Sequence, residues 1–499
     1  MKVSLVSPYS SIANIGLRSI SAVLKEKGHE VQMCFLPVPS LESSWNLSPN
    51  FEVHYPDALM EELRELTKDS RVIGLSLMSN YREVGIRITE ALKRPGNTIA
   101  WGGAYPTLYP EDALSNTDVV CIGDGEEAMA ELVSQIEAGT EPDNIPNLWF
   151  KGKAYPRLKA IEDISALPLA DFGPQGHFVY NEQTGALVPL HSFDDYRNHF
   201  ERRRRPSASG GDEMVYVFRL ETSRGCPHNC TYCQNNVLKK VQSKTVRIKG
   251  LDRMKRELDM VRELFPFVKV ISIEDDTFTA RKDVRELVKL VKDSGFQFRC
   301  LVSPLYASEE LVASLVENGL IIFTVGLQTR APKTEKLYNR SALNRGIDDL
   351  FELFAKKYPD MPVLVDLIID NPWETTEDRL YTLNFLLDKL PPKGLIGMNS
   401  LVIYPNTTLW EKASADGISS DFNSLKTWHW HRQPKIRYTT LVYFALKIGL
   451  PRGLVRFLES RPFLFLFERD LFTNFVIPKT TRLIKRSFMI LSGRKTVPK

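Results

Sequence analysis

The amino-acid sequence predicts an α/β protein: a doubly wound parallel sheet over residues 1–145, a linker over 146–214, a partial (β/α)6 barrel over 215–425 and a helical extension over 426–499. Three observations predict it. Short apolar runs alternate with amphipathic stretches along the first 145 residues, the same alternation resumes at 215, and from 426 onward strand-like runs give way to aromatics interleaved with cations.

A chain of 499 residues is too long for one ordinary core, and 43% hydrophobic with 25% charged residues is the composition of a folded globular protein. No uninterrupted apolar run reaches the ~18–20 residues that span a bilayer, and the start, Met1-Lys-Val-Ser-Leu-Val-Ser-Pro8, lacks the long apolar core of a secretory signal. A cytoplasmic protein is expected. Of the six cysteines, Cys34, Cys121 and Cys300 stand alone in apolar runs and read as buried core thiols. The other three crowd into eight residues, which in a reducing compartment points to metal rather than disulfide. The net charge of +4 is uneven: from Arg432 to Lys499 fifteen Lys or Arg face three acids, leaving this tail at +12 and the remainder at −8. A local anionic partner is implied rather than a nucleic-acid-binding protein.

In the first part, apolar runs at 2–8, 30–36, 71–78, 98–103 and 118–123 read as strands. Helices are expected at 14–27, 57–68, 82–93 and 126–138, with Gly28, Pro95 and Gly139 as stops after the first, third and fourth. Loops of small residues follow the strands: Ser7-Pro8-Tyr9-Ser10, Ser76-Leu77-Met78-Ser79-Asn80, Trp101-Gly102-Gly103-Ala104-Tyr105-Pro106-Thr107 and Gly123-Asp124-Gly125-Glu126. In an open parallel sheet they gather at the carboxyl edge, where ligands bind. Pro146, Pro156, Pro168, Pro174 and Pro189 then break the period, and Glu201-Arg-Arg-Arg-Arg205 runs into Pro206-Ser-Ala-Ser-Gly-Gly211, read as a solvated basic loop closing the linker, with a phosphate or substrate clamp as the alternative for its arginines. In the barrel, strands are expected at 215–221, 268–274, 297–302, 321–327, 363–369 and 397–403, with helices at 251–264, 281–293, 308–317, 346–356 and 376–389. Such a TIM-like arrangement does its chemistry at the carboxyl ends of its strands.

After the first of those strands stands Glu221-Thr-Ser-Arg-Gly225-Cys226-Pro-His-Asn-Cys230-Thr-Tyr-Cys233-Gln234. Three thiolates at this spacing can wrap one face of a 4Fe-4S cubane and ligate three of its four irons. The fourth stays open to a substrate's amino and carboxylate groups. Zinc is the competing reading, with His228 as a fourth ligand, but zinc motifs usually come as two separated pairs.

This motif resembles the radical S-adenosylmethionine superfamily, and the resemblance extends over about two hundred residues. It implies that Cys226, Cys230 and Cys233 hold the cluster and that S-adenosylmethionine binds beside it. Tyr232, before the last cysteine, stands where the family seats the adenine. Ile271-Ser-Ile-Glu274-Asp275-Asp276-Thr277-Phe278 occupies the turn that receives the methionyl amino group, leaving Glu274, Asp275 and Asp276 as candidates. Gly326-Leu-Gln328-Thr329 stands where Gly-x-Glu-Ser is common, so Gln328 is a candidate ribose contact. Arg340, in Tyr338-Asn339-Arg340, is a candidate for the methionyl carboxylate or for a surface ion pair. Asp366-Leu-Ile-Ile-Asp370-Asn-Pro-Trp-Glu374-Thr375 resembles the family's Asp-x-Ile-x-Gly-x-Pro-Gly-Glu-Thr strand end, with Asp370 and Trp373 replacing glycines. Leu401-Val-Ile-Tyr404-Pro405-Asn-Thr-Thr-Leu409 resembles the strand near the adenine, which makes Tyr404 a candidate.

The first domain resembles the Rossmann-like cobalamin-binding (B12) domain that precedes the radical domain in one large subgroup. Gly102-Gly103-Ala104-Tyr105-Pro106-Thr107 parallels Gly-Gly-x-His-Pro-Thr, and Asp118-Val-Val-Cys-Ile122-Gly123-Asp124-Gly125-Glu126 parallels Asp-x-Val-x-x-Gly-Glu-Gly-Glu. The implied cobalamin contacts are Ser76, Ser79, Asn80, Gly102, Gly103, Gly123, Gly125 and Glu126. No Asp-x-His-x-x-Gly follows the first strand, so no histidine ligand to cobalt is expected, and the Gly-x-Gly-x-x-Gly of a dinucleotide platform is also missing. Some members of the subgroup keep the domain without binding cobalamin.

The resemblance thus implies an enzyme. One electron from the cluster would break the S–C5′ bond of S-adenosylmethionine, the 5′-deoxyadenosyl radical would take hydrogen from an unactivated carbon, and cobalamin would deliver a methyl group. Radical C–C bond formation or cyclisation is the alternative within the family, and a nonenzymatic iron–sulfur or cobalamin carrier the alternative outside it. Methylthiolation of RNA would need three further cysteines in the front domain and a terminal β-barrel, neither visible. The expected partners are a small-molecule or lipid substrate and an external electron donor of flavodoxin or ferredoxin type. In the tail, Trp428-His-Trp430-His431, Tyr438, Tyr443, Phe444, Phe457, Phe463, Phe465, Phe467, Phe472 and Phe475 interleave with cations. A helical cap on the barrel and amphipathic helices lying on an anionic bilayer both fit this pattern, the second giving peripheral membrane contact through 432–499.

Overall fold

The computed structural model describes residues 1–9, 12–37, 55–206, 212–241, 246–418 and 437–468; Ser10, the 428–431 segment, Phe472, Phe475 and the side chain of Asn80 lie outside the described residues. The chain forms two compact units, one of Met1–Leu301, Glu310–Ile321 and Ile403–His431, the other of Val302–Glu309, Ile322–Val402 and Arg432–Lys499.

The first unit opens with five strands, β1 Lys2–Ser7, β2 Glu30–Phe35, β3 Val72–Ser76, β4 Thr98–Gly102 and β5 Val119–Cys121. Helices Ile15–Glu26, Asp57–Thr67, Arg82–Leu92 and Glu126–Glu137 alternate with them, all within two residues of the bounds read from the sequence. Asn14 starts the first helix by accepting the Leu17 N–H on Oδ1 at 3.3 Å, and Gly28, at φ 85°, reverses the chain after it. The strands are parallel in the order β5-β4-β3-β1-β2. The chain leaves β1 toward β2, then returns to lay β3 on the other side, so the switch point lies between the carboxyl ends of β1 and β3.

The stretch expected to be an aperiodic linker contributes three strands to this sheet: β6 Leu148–Phe150 pairs antiparallel with β5, β7 Phe178–Asn181 parallel with β2, and β8 Ala186–Pro189 antiparallel with β7. Its prolines fall between strands or at the end of β8, an outer strand, where a missing N–H is tolerated. Aromatics fix the rest of the segment. Phe172, Phe193, Tyr196 and Phe200 surround Phe265, with ring centroids 4.9–5.8 Å away. Arg18, fully buried, lies 4.2 Å from the Phe172 ring and donates to Asp171 O at 2.5 Å.

The arginine run is likewise ordered rather than a loop. Glu201–Pro206 forms β9, antiparallel to β10 Asp212–Leu220, with Glu201 opposite Val217 and Arg203 opposite Val215. β13 Val268–Ile273 runs parallel to β10, and β14 Gln297–Val302 parallel to β13. A short ribbon, β11 Ser223–Arg224 against β12 Arg247–Ile248, holds the start of the cysteine loop.

In the second unit β15 Leu320–Gln328, β16 Val363–Ile368 and β17 Gly394–Asn399 are parallel, with helices Ile347–Lys357 and Thr376–Lys389 between them. The last strand ends before the expected 403 because Asp370 Oδ1 accepts the Leu401 N–H at 2.5 Å and draws the backbone out of the ladder. Helices Tyr438–Lys447, Arg452–Leu458 and Arg461–Phe467 follow. Arg379 ties the first of these to helix Thr376–Lys389: its Nε donates to Thr439 Oγ1 at 3.0 Å, its Nη2 reaches Glu468 at 2.9 Å, and its carbonyl accepts the Tyr443 hydroxyl at 2.6 Å.

Glu374 is buried in this unit, accepting from Thr329 Oγ1 at 3.1 Å. Burial pushes its carboxyl up to about 7 against the lowering effect of hydrogen bonds from Thr334 and Thr329. The unfolded chain releases this proton near 4.5 while the folded chain keeps it, so stability falls as pH rises from 4.5 to about 7 and is flat above. Glu374→Gln, always neutral, should remove this fall, worth ~3 kcal/mol over the full window. Denaturant midpoints at pH 5 and pH 8 should therefore converge in the variant; an unchanged gap would show that Glu374 does not carry the effect.

Candidate active site

The end of β10 is held by one carboxylate. Asp275, 3% exposed, accepts the Thr222 N–H at 2.6 Å and the Ser223 N–H at 3.0 Å on Oδ1, and both hydroxyls on Oδ2, Ser223 at 2.6 Å. Burial pushes this carboxyl up while the four donors draw it down, and together they fix the backbone three residues before the first cysteine. The sequence offered Asp275 as a partner for the methionyl amino group; the structure commits its carboxylate to this clamp.

Gly225, at φ 94°, then turns the chain into the cysteine loop. Cys226 and Cys230 are buried and Cys233 half-buried. The Cys226 sulfur lies 3.1 Å from Thr277 Oγ1. Burial pushes the Cys226 thiol up, while Thr277 and the His228 N–H, both bonded to the sulfur, draw it down. Burial likewise pushes Cys233 up to about 12 against a hydrogen bond from the Asn235 N–H. Donors aimed at sulfur suit thiolates bonded to iron. No three His, Cys, Asp or Glu among the described residues converge on the position of a single metal ion; a cubane, ligated at separate irons, asks for no such convergence. The donor set fits the cluster.

The Pro405–Leu409 stretch returns to this loop: Leu409 N donates to Thr231 O at 3.0 Å, and Asn406 Nδ2 to Leu108 O at 3.0 Å. Tyr404 is half-buried, and burial with the nearby Cys233 pushes its phenol up. Tyr232 is half-buried within the loop.

Above the switch point of the first sheet lies a cavity of about 330 Å³, walled by Gly74, Ser76, Gly102, Gly103, Gly123 and Gly125 on the sheet side and by Glu221, Arg224, Glu274 and Asp276 from the cysteine-loop side. Side chains would close this cradle. A Cβ on Gly103, at φ 97°, would meet Leu77 O at 2.8 Å. A cavity of this size takes part of a corrin, and its backbone-lined walls suit one. Ser76 Oγ faces it and lies 3.4 Å from the Tyr9 hydroxyl; Ser79, expected beside it, is not among the lining residues.

Glu126, expected to contact cobalamin, lines the cavity and is also held in a buried ion-pair network. Arg224 Nη2 donates to Glu126 at 2.8 Å, its Nη1 to Asp124 at 3.2 Å and its Nε to Glu221 at 3.0 Å. Arg247, on β12, also grips Asp124 and donates to Ile161 O at 2.7 Å. The Gly-Asp-Gly-Glu turn is thereby fastened to the residue two places before Cys226.

Of the remaining candidates, Glu274 and Asp276 open onto the cavity. Gln328 and Arg340 belong to the second unit. Gln328 ends β15 at φ 66°, and Arg340, buried, donates from Nη2 to Gly326 O. Sequence reasoning missed Thr277, Arg224 and Arg247, and also a row inside the barrel sheet: Arg219, Ser272 and Arg299 pair side by side across β10, β13 and β14. Arg219 within Val217-Phe-Arg-Leu220 and Arg299 within Phe298-Arg-Cys-Leu301 are charges inside apolar strands, and that anomaly was the signal available.

Comparison with known proteins agrees with this geometry. The Radical SAM superfamily model matches residues 220–386 and the B12 binding domain model residues 1–133. An uncharacterized methyltransferase of Pyrococcus horikoshii is 24% identical over 399 residues, covering 77% of this chain and 76% of its own. The hopanoid C-3 methylase of Methylococcus capsulatus is 21% identical over 447 residues, covering 86% and 76%. Among solved structures, the radical S-adenosylmethionine methyltransferase TsrM of Kitasatospora setae, with cobalamin and a [4Fe-4S] cluster bound, has the same fold, with a TM-score of 0.62, 15% identity and coverage of 83% and 75%. The chain belongs to the radical S-adenosylmethionine enzymes that carry a B12-binding domain. Its cofactors are a 4Fe-4S cluster, S-adenosylmethionine and cobalamin.

The Asp275 clamp gives a direct test. Asp275→Ala leaves two backbone N–H groups and two hydroxyls without their acceptor, which should destabilise the protein by ~2–4 kcal/mol. Iron bound after anaerobic reconstitution should drop well below wild type, whereas Glu274→Gln should retain it. Equal iron content in wild type and Asp275→Ala would show that the clamp does not position the cysteines.

Proposed function

We propose that this protein transfers a methyl group to an unactivated carbon of a small molecule, with residues 1–145 carrying cobalamin and the 215–425 region carrying the cluster on Cys226, Cys230 and Cys233. The observation that carries it is the single cavity wall shared by the glycine-lined switch point and the cysteine-loop residues Glu221, Arg224, Glu274 and Asp276. When bound, the cluster supplies the electron that cleaves S-adenosylmethionine and cobalamin supplies the methyl carrier. The chain's own residues position and enclose: Asp275 sets the loop, Arg224 joins the loop to the turn after β5, and Glu274 and Asp276 offer carboxylates to an ammonium group. In this reading Tyr232 and Tyr404 flank the adenine, and Gly102, Gly103, Gly123, Gly125 and Ser76 meet the corrin. An external flavodoxin- or ferredoxin-type protein reduces the cluster.

The test is anaerobic reconstitution with iron, sulfide and hydroxocobalamin, followed by turnover with S-adenosylmethionine labelled in its methyl group. Wild type should form 5′-deoxyadenosine and shift a metabolite of a deletion-strain extract by the mass of one labelled methyl. Cys226→Ala, Cys230→Ala or Cys233→Ala should reduce both below ~1%. 5′-Deoxyadenosine formation without a labelled product would favour radical C–C bond formation or cyclisation instead.

A second reading concerns location. No helix among the described residues is long and apolar enough to cross a membrane. Helices 438–447, 452–458 and 461–467 nevertheless leave Phe444, Leu454 and Phe457 exposed beside Lys447, Arg452 and Arg456. The named substrate of the Methylococcus relative is a hopanoid. Both support peripheral docking of the +12 tail on an anionic bilayer, with a lipid or isoprenoid substrate. Co-sedimentation with phosphatidylserine vesicles should fall several-fold in a Phe444→Ser, Phe457→Ser double variant; equal partitioning would exclude this docking.

A further inference from the structure

One face of the barrel sheet in the first unit carries charge where a β/α protein usually buries apolar side chains. On the other face Phe218 packs on Phe172 and Phe265, 5.1 and 6.1 Å between ring centroids. On the charged face the register puts Arg219, Ser272 and Arg299 in one row, one step from the ends of β10 and β13, with Glu201 and Val217 in the row below and Glu274 above. Arg299 Nε donates to Ser272 Oγ at 2.7 Å, and Ser272 Oγ donates to Glu274.

The charges around this row do not balance. Glu201 is shared by three guanidinium groups: Arg203 donates to it, Arg219 reaches it from Nε at 3.2 Å and Nη2 at 3.0 Å, and Arg299 Nη2 lies 3.4 Å away. Burial raises the Glu201 carboxyl, but the hydrogen bond from Arg203 and the charges of Arg299 and Arg219 outweigh it and keep it ionised. Glu274 stands 3.6 Å from Arg219 Nη1 and 3.9 Å from Arg299 Nη2, beyond hydrogen-bond reach. Among the described side chains around the row, three cations thus face two carboxylates. Arg219 at 41% and Arg299 at 23% side-chain exposure are neither sealed in the core nor free on the surface. A guanidinium offers five donors in a planar fork that matches carboxylate and phosphate oxygens, and part of each fork is unspent.

We infer that the row Arg219–Ser272–Arg299 is a subsite for an anionic group, carboxylate or phosphate, on the molecule to be methylated. This rests on the methyl-transfer reading and adds the substrate's chemical class to it. Glu274, directly above the row, also lines the cavity beneath the cysteine loop, so an anion anchored on the row directs the rest of its molecule toward that cavity. Glu201 holds the two arginines in place and competes with the incoming anion for them.

The experiment titrates anaerobically reconstituted full-length protein with inorganic phosphate, and separately with butyrate, against chloride at equal ionic strength, by calorimetry. Saturable binding of one of the two, on the order of millimolar, is expected, and which one binds assigns the group. Arg219→Gln and Arg299→Gln should each weaken it about tenfold, while Arg262→Gln, on an exposed helix face, should bind as wild type. Glu201→Gln should bind severalfold tighter, a change that a purely structural role for Glu201 would not produce. Melting curves and iron content of each variant check that it folds. Absence of binding above chloride, or equal binding in the arginine variants, overturns the inference. 5′-Deoxyadenosine formation, measured on the wild type, separates the two claims: no anion binding by wild type with deoxyadenosine formed removes the subsite alone, and deoxyadenosine absent with anion binding intact removes the reaction and keeps the subsite.

Discussion

The buried carboxylate of Asp275 is the constraint from which the rest of the site follows. A charge at 3% exposure persists only when its lone pairs are filled, and here Thr222 and Ser223 fill them with two N–H groups and two hydroxyls. The strand end therefore has one acceptable position relative to β13, and Cys226 starts its loop from there. Thr277, two residues beyond Asp275, then falls within 3.1 Å of the Cys226 sulfur. A short stretch of chain thus sets both the backbone of the loop and a donor to its first thiolate.

A second clamp works in series with the first. Arg224 spends three of its donors on Asp124, Glu126 and Glu221, and Arg247 adds a further grip on Asp124. Burial would lift the Asp124 carboxyl, yet the two guanidinium groups hold it below the usual range. The turn after β5 is thus referenced to the cysteine loop by charge-assisted bonds rather than by apolar packing, which tolerates sliding. For chemistry that joins two cofactors across one cavity, such a joint controls distance, and small misplacements are costly there.

Much of this was legible in the sequence. The β/α alternation gave strands and helices of both halves to within a few residues, because a doubly wound sheet buries whole apolar runs and leaves small residues at its carboxyl edge. The cysteine spacing and the glycine loops were equally local signals. What could not be read depends on pairing across distance. Pro-rich 146–214 reads as a linker until Phe172, Tyr196 and Phe200 are seen around Phe265, and Glu201–Pro206 reads as a loop until Val215 and Val217 stand opposite Arg203 and Glu201. Glu126 and Asp275 were read as ligand contacts from the motifs around them. Their partners, Arg224 far along the chain and the strand end at Thr222, also give both a positioning role that no local signal announced.

The placement of charge inside the barrel sheet has a physical consequence for radical chemistry. A primary carbon radical attacks whatever lies nearest, so selectivity rests on how rigidly the substrate is held and how well water is kept out. Apolar contacts alone fix such a molecule poorly in rotation and depth. Two arginines braced by Ser272 and Glu201 supply a fixed, directional anchor one row below the strand ends, while Val215, Val217 and Val270 on the same face keep the neighbouring surface dry. The anchor sets depth and the apolar rows limit tilt. Holding two half-buried guanidinium groups beside one carboxylate adds little to stability alone, since an apolar row of similar volume would hold the strands at least as well, and a polar row retained there is best explained by the ligand it meets.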